Sequence, residues 1–164
     1  MMNLTQFMNS AADTRPNATA TIMGERRRSW REHRDRIAKL ADSLRKLGAG
    51  AGDRVAILAL NSDRYTEYYH AVWWAGAAVV PMNIRWTEVE NAYSLNDSEA
   101  ETLFVDKAFA PVVDGIRGEC SKLKTVIYLD DDTLPDGMLA YEDLVEQDSL
   151  CDDALRSGED LAGL

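Results

Sequence analysis

The sequence is poor in the residues and patterns that mark several classes of protein. It has only two cysteines, Cys120 and Cys151, and they show neither metal-ligand spacing nor a CxxC pair. Reduced thiols are typical of a reducing compartment, so we expect a cytoplasmic protein. No apolar run approaches the ~20 residues of a membrane-spanning helix, and residues 1–13 lack the apolar core of a signal peptide.

Several motifs of catalysis and ligand binding are also missing. The chain has no GxxxxGK[ST] loop and no serine in a nucleophile elbow. His33 and His70 lie on different predicted helices without a Cys, Asp or Glu at ligand spacing, so we interpret both as surface or packing residues. Residues 130–132 are three aspartates without the spaced ligands of a calcium loop, which indicates a solvated turn. We therefore expect no complete catalytic site in this chain.

Charge is abundant but unevenly placed. The net charge is −10, from 28 acidic and 18 basic residues, which argues against a general nucleic-acid binder. Six arginines lie within residues 26–36, and acidic residues dominate the end of the chain. Solvated faces are the expected role of both runs. The length of 164 residues and the hydrophobic share of 46% fit one domain with a buried core.

Helix and strand patterns alternate over most of the chain. Ser29 and Glu32 form a capping box that begins a helix with apolar residues at helical spacing, and Gly48 ends it. Residues 55–60 are an unbroken apolar run, typical of a strand covered on both faces of a parallel sheet. The sequence thus predicts one α/β domain, a mostly parallel sheet with helices on both faces. Residues 134–164 are expected to be weakly ordered or linker-like.

Two further features leave alternatives open. The glycine-rich segment at residues 48–52 invites comparison with a nucleotide-binding loop. A helix precedes it and a strand follows, however, which is the reverse of the required order, so we interpret it as a structural turn. Trp73 and Trp74 are adjacent on one predicted helix and point about 100° apart. One of them could face a partner surface, and ordinary core packing of both is the alternative.

Four segments, taken in order, resemble a known family. They are Ser29-Trp30-Arg31-Glu32-His33, Gly50-Ala51-Gly52-Asp53-Arg54-Val55-Ala56-Ile57, Ala75-Gly76-Ala77-Ala78-Val79-Val80-Pro81-Met82-Asn83, and Asn96-Asp97-Ser98 with Leu103-Phe104-Val105. Together they resemble the N-terminal part of adenylate-forming (AMP-binding) enzymes, in the acyl-CoA synthetase, or fatty-acid–CoA ligase, branch. The likeness covers roughly residues 4–129, and His33 stands where the family usually has Leu.

The resemblance implies an ATP-dependent reaction in two steps. The parent enzyme would activate a carboxylic acid, in this branch a fatty acid, as an acyl-adenylate and transfer it to coenzyme A, using ATP, Mg²⁺ and coenzyme A. The family's phosphate-binding loop, magnesium-binding Glu and catalytic Lys would lie beyond Leu164, since residues 159–164 resemble the strand before that loop. The resemblance therefore implies a domain truncated before the phosphate-binding loop and inactive alone. It also implies that Arg85 binds a phosphate of coenzyme A, with a surface arginine as the alternative.

Two other functional hypotheses remain at this stage. The chain could be a stand-alone interaction or regulatory module without chemistry, or a small nucleotide-binding domain with its ligand at the carboxyl ends of the strands. Under the fragment hypothesis we expect self-association, for example as a homodimer, through an unpaired sheet edge and apolar patches.

Overall fold

A computed structural model describes residues 2–164 as an α/β fold. A capped or periodic stretch forms each of the longer helices, and short apolar or β-branched runs form the central strands. The elements, in chain order, are α1 (Gln6–Thr14), β1 (Thr19–Met23), β2 (Arg26–Ser29), α2 (Trp30–Lys46), β3 (Arg54–Leu58), α3 (Asp63–Ala75), β4 (Ala78–Pro81), α4 (Glu88–Ser98), β5 (Thr102–Val105), α5 (Val113–Glu119), β6 (Thr125–Tyr128), β7 (Leu139–Ala140) and α6 (Tyr141–Val145).

The central sheet has five strands in the order β4-β3-β5-β6-β7, and every neighbouring pair is parallel. Strand β3 lies in register with both neighbours, so Val55 is opposite Val79 on one side and Thr102 on the other. The two-residue strand β7 is absent from the sequence prediction because Leu139–Ala140 is too short to give a pattern. The predicted fold class, a mostly parallel sheet with helices on both faces, is confirmed.

Alternate residues of each strand enter two separate hydrophobic cores. On one face, Val55 and Ile57 of β3 pack with α2 and α3, whose buried residues include Leu40 and Tyr68. On the other face, Ala56 and its strand neighbours pack with α4 and α5. A parallel strand covered on both faces needs apolar residues at consecutive positions, which explains the unbroken run that begins at Val55.

An antiparallel hairpin, β1–β2, precedes the sheet and turns at Gly24, whose φ is +59°. The predicted capping box then begins α2: Glu32 N–H donates to Ser29 Oγ at 3.3 Å, and Ser29 N–H donates to Glu32 Oε2 at 2.7 Å. This box satisfies two otherwise unpaired donors at the helix start. Gly48, with φ of +97°, follows the helix in the left-handed conformation that was predicted for it.

The C-terminal segment lies against α3 and the outer edge of β4. Trp74 donates its indole N–H to Cys151 O, and Trp73 donates its indole N–H to Ala162 O, both at 2.8 Å. Gly163 forms an isolated parallel bridge with Val79. Both indole N–H groups are therefore bonded within the chain. Weak order of residues 134–164 stays a prediction.

No helix among residues 2–164 is long and apolar enough to cross a membrane.

Candidate functional site

The chain changes direction across the sheet at β3. After β3 it continues into α3 on one face, whereas after β5 it continues into α5 on the other face. In parallel sheets, such a change opens a crevice at the carboxyl ends of the two strands, where ligands commonly bind. Asp106, just after β5, joins the two loops here because its Oδ2 accepts the N–H of Leu60 at 2.8 Å. We therefore take the carboxyl edge of the sheet as the candidate site.

A pocket of about 300 Å³ opens at this edge, beside the crevice, where the chain leaves β3 and β4. Its polar side chains are Asn61, Asn83 and Tyr65, and its apolar walls come from residues after β3 and β4. Burial, and then the neighbouring Tyr69, raise the pKa of Tyr65 to about 12. The hydroxyl is therefore protonated at neutral pH and can donate a hydrogen bond. These groups can orient a polar ligand, and none of them is arranged as a nucleophile with a base.

Arg85 lies in the turn between β4 and α4, next to this pocket. Its backbone N–H donates to Asn83 Oδ1 at 2.9 Å, which fixes the turn. Its side chain is exposed and forms no ion pair with any residue of 2–164. A guanidinium without an ion-pair partner can donate hydrogen bonds to a phosphate, because no carboxylate has to be displaced first. The position is compatible with the predicted role, which itself stays a prediction.

A buried network of charged side chains connects four elements on the other side of α3. At its centre is Glu67, which is fully buried. Arg36 donates from Nε to Glu67 Oε1 at 2.9 Å and from Nη2 to Oε2 at 3.0 Å, and the Tyr141 hydroxyl donates to Oε2 at 2.6 Å. Burial alone raises the pKa of Glu67, but His33 and Arg36 outweigh it and lower that pKa to about 2.

The same network reaches the hairpin and the end of β6. Arg26 donates to both carboxylate oxygens of Asp63, at 2.8 and 3.1 Å, and Arg64 pairs with Asp131 and Glu142. The expectation that the arginine run is a solvated face is therefore wrong for Arg28 and Arg36, whose side chains are 19% and 14% exposed and lie against Glu67. Their carboxylates come from distant elements, which local sequence cannot show. The sequence signal available for this network was the four-residue spacing of the acidic residues Asp63 and Glu67 on α3.

The remaining sequence interpretations concern the glycine segment, the histidines and the aspartates. The glycine segment lies at the amino end of β3, where Gly50 N–H donates to Asp53 Oδ2 at 2.8 Å, as a structural turn would. His33 is buried and packs edge-on against His70, with ring centroids 5.8 Å apart. Among residues 2–164, no group of three or more His, Cys, Asp or Glu is placed to hold a metal ion.

The fold defines the chain as a parallel α/β domain whose candidate site lies at the carboxyl edge of the sheet. Comparison with known families makes this specific: a model described as AMP-binding enzyme matches residues 8–164. The chain belongs to this family, and the resemblance seen in its sequence is confirmed.

Two curated relatives illustrate the match. The chain is 37% identical to a long-chain-fatty-acid–CoA ligase of Thermus thermophilus over 123 residues, which are 75% of this chain and 23% of the relative. It is 34% identical to a medium-chain-fatty-acid–CoA ligase of Ectopseudomonas oleovorans over 131 residues, which are 76% of this chain and 24% of the relative. The matched region is thus about a quarter of the length of these relatives.

A solved structure supports the fold. The N-terminal domain of FACL13 from Mycobacterium tuberculosis superimposes with a TM-score of 0.85 at 24% identity, over 99% of this chain and 41% of that structure. At this level of identity, the likeness concerns the fold alone.

Proposed function

We propose that this chain is the N-terminal part of an ATP-dependent acid–CoA ligase. Such an enzyme activates a carboxylic acid, here a fatty acid, as an acyl-adenylate and transfers the acyl group to coenzyme A. The match of residues 8–164 to the AMP-binding family carries the proposal, and the relatives named as fatty-acid–CoA ligases suggest the substrate class. The free thiols of Cys120 and Cys151 agree with the cytoplasm as its compartment.

The chemistry of this reaction sets what the chain would have to supply. A carboxylate is a poor electrophile, and its adenylation requires positive charge placed on the phosphates of ATP, supplied in part by Mg²⁺. Among residues 2–164, no three or more His, Cys, Asp or Glu side chains are grouped to hold a metal ion, and the carboxyl-edge pocket pairs no nucleophile with a base. We therefore propose that the chain alone is inactive and serves as scaffold and one wall of the site.

The direct test compares this chain with a longer gene product that contains it. Pyrophosphate release would be measured with ATP, Mg²⁺ and butyrate, octanoate or palmitate, followed by coenzyme A consumption. We expect acid-dependent pyrophosphate release from the longer protein and none from the 164-residue chain. Absence of acid-dependent release from the longer protein, with every acid, would contradict the proposal.

Arg85 has a test of its own within that longer protein. If Arg85 binds a phosphate of coenzyme A, Arg85→Ala should raise the KM for coenzyme A about 5-fold, as expected for one partly exposed charged contact worth ~1 kcal/mol. Acid-dependent pyrophosphate release should be unchanged. Arg31→Ala is the matched control, since Arg31 is also exposed and free of ion pairs within residues 2–164. Unchanged coenzyme A kinetics in Arg85→Ala would refute the assignment.

One surface favours both the self-association expected of a fragment and the second candidate, a stand-alone interaction module without chemistry. Four large apolar residues after β4 are between 42% and 70% exposed: Ile84, Trp86, Val89 and Tyr93. Val89 and Tyr93 are four residues apart on α4 and share a face. Sedimentation velocity of the chain and of Tyr93→Ser tests this idea, because a dimer through this face should dissociate in the variant. The nucleotide-binding alternative is tested by calorimetry, where no heat at millimolar ATP would exclude it.

A further inference from the structure

A second pocket lies between α1, β1, α2 and α3, and the functions above make no use of it. Its volume is about 370 Å³, near the lower end of the range of about 300–1,000 Å³ typical of small-ligand sites. It shares no lining residue with the pocket at the carboxyl edge of the sheet. Its walls are mostly apolar and come from Phe7, Met8, Ala11, Ala20 and Trp30.

Aromatic rings are arranged edge to face along one wall. Trp30 and His33 have ring centroids 6.0 Å apart with planes at 78°, and His33 and His70 repeat this arrangement at 5.8 Å and 78°. Phe7 lines the pocket and is 73% exposed, which leaves a large apolar face open to an occupant. A flat aromatic ring could continue this edge-to-face series and cover Phe7.

The pocket carries one formal positive charge. Arg15 lines it, is exposed, and forms no ion pair with any residue of 2–164. His70 contributes no second charge at neutral pH, because burial lowers its pKa. Its Nδ1 lies 3.0 Å from Thr66 O, which can only accept, so Nδ1 carries the proton and Nε2 is left as an acceptor. A monoanion therefore matches the charge of the pocket, whereas a second negative charge would be uncompensated.

Two buried polar atoms on lining residues have no hydrogen-bond partner within residues 2–164. They are Thr21 Oγ1 and His33 Nδ1, and the latter lies 3.8 Å from Glu67 Oε1, on the side of the buried charge network. A buried hydroxyl without a partner destabilises the fold, because it has lost its hydrogen bonds to water without replacement. His33 is 1% exposed, so its ring forms the floor of the pocket and its Nδ1 is left to the charge network. A ligand oxygen beside Thr21 would give the Thr21 hydroxyl a partner.

We propose that this pocket binds a small monocarboxylic acid with a single aromatic ring. Its ring would lie among Phe7, Met8 and Trp30, and its carboxylate would pair with Arg15. The site is distinct from the carboxyl edge of the sheet, so the proposal does not depend on ligase activity. Its occupant would hold α1 against the hairpin and α2.

The test uses 3-phenylpropionate as the probe and 3-phenylpropanamide as its uncharged counterpart. Titration of the ¹⁵N-labelled chain should shift the Trp30 indole and Thr21 amide signals with the acid, and at least 5-fold more weakly with the amide. Arg15→Gln should weaken binding of the acid about 5-fold and leave the amide unaffected. Ala11→Phe, which fills the pocket, should abolish binding of both.

Arg31→Gln is the matched control, because Arg31 is an exposed arginine that does not line the pocket. It should bind the acid like the unaltered chain, and millimolar ATP should not displace the acid. The proposal is overturned by an absence of shifts at millimolar acid, by equal affinities for acid and amide, or by displacement by ATP. Equal losses in Arg15→Gln and Arg31→Gln would also overturn it, since they would indicate a general effect of charge.

Discussion

Glu67→Gln is the substitution whose effect on stability follows most directly from the structure. It keeps the shape of the side chain and removes its charge. Glu67 accepts two hydrogen bonds from Arg36 and one from Tyr141, and Arg28 Nε lies 3.3 Å from its Oε1. The new amide NH₂ would meet a donor on at least one side, so one guanidinium N–H and its charge would lose their partner inside the protein.

The magnitude can be set from the burial of this carboxylate. Removing one partner of a buried ion pair costs about 3–5 kcal/mol, against a total stability of about 5–15 kcal/mol for a domain. Glu67 is fully buried, and the Arg36 side chain is 14% exposed, so the pair belongs to this class. Because Glu142 still pairs with Arg36, we expect the lower end, about 3 kcal/mol.

Urea unfolding followed by circular dichroism measures this loss. With a slope of about 2 kcal/mol per molar urea, the midpoint should fall by about 1.5 M. Glu101→Gln is the control: Glu101 pairs with Lys124 at 2.7 Å, but both side chains are more than half exposed, so the loss should stay below about 1 kcal/mol. A loss below about 1 kcal/mol in Glu67→Gln would refute the view that this network stabilises the fold.

Three further predictions follow from single features. The pKa of Glu67 is lowered in the folded state from 4.5 to about 2, so the stability that its charge contributes is complete above pH ~4.5 and is lost as pH falls toward 2. The free energy of unfolding should therefore fall by up to about 3 kcal/mol over this range, and Glu67→Gln should lack that fall. Ser29→Ala removes the capping box of α2 and should cost about 1 kcal/mol in urea unfolding, with Thr87→Ala, in the similar box of α4, as the comparison; no loss in Ser29→Ala would contradict the capping argument. Gly163→Ala would bring a Cβ to 2.8 Å from Val79 Cγ2 and 3.0 Å from Val79 O. Because this clash would push the C-terminal segment away from β4, hydrogen exchange at Val79 N–H, which donates to Ala162 O, should accelerate. The control is Gly118→Ala, which meets no atom within 4 Å and should leave that exchange rate unchanged.

The elements that the sequence predicts well are those with local physical causes. The capping box at Ser29, the glycine that ends α2 and the apolar run of β3 each depend on neighbours within a few residues. Strand β7 was missed because two residues give no periodicity, and its pairing with β6 is a tertiary event. The candidate site was predictable only in part: Arg85 follows from a family resemblance, whereas the pocket beside it needs the ends of β3 and β4 together.

The sequence by itself determined the alternation of helices and strands, the parallel sheet and the family, because periodicity, caps and short motifs are written in consecutive residues. Only the tertiary structure decided which charged side chains form buried pairs and which face the solvent. The arginines at residues 26–36 look like a solvated run, yet Arg26 and Arg36 bind carboxylates of α3 and α6 that lie 31–106 residues away along the chain. Charge pairing depends on distance in space, and it is the packing of these elements that places the groups side by side.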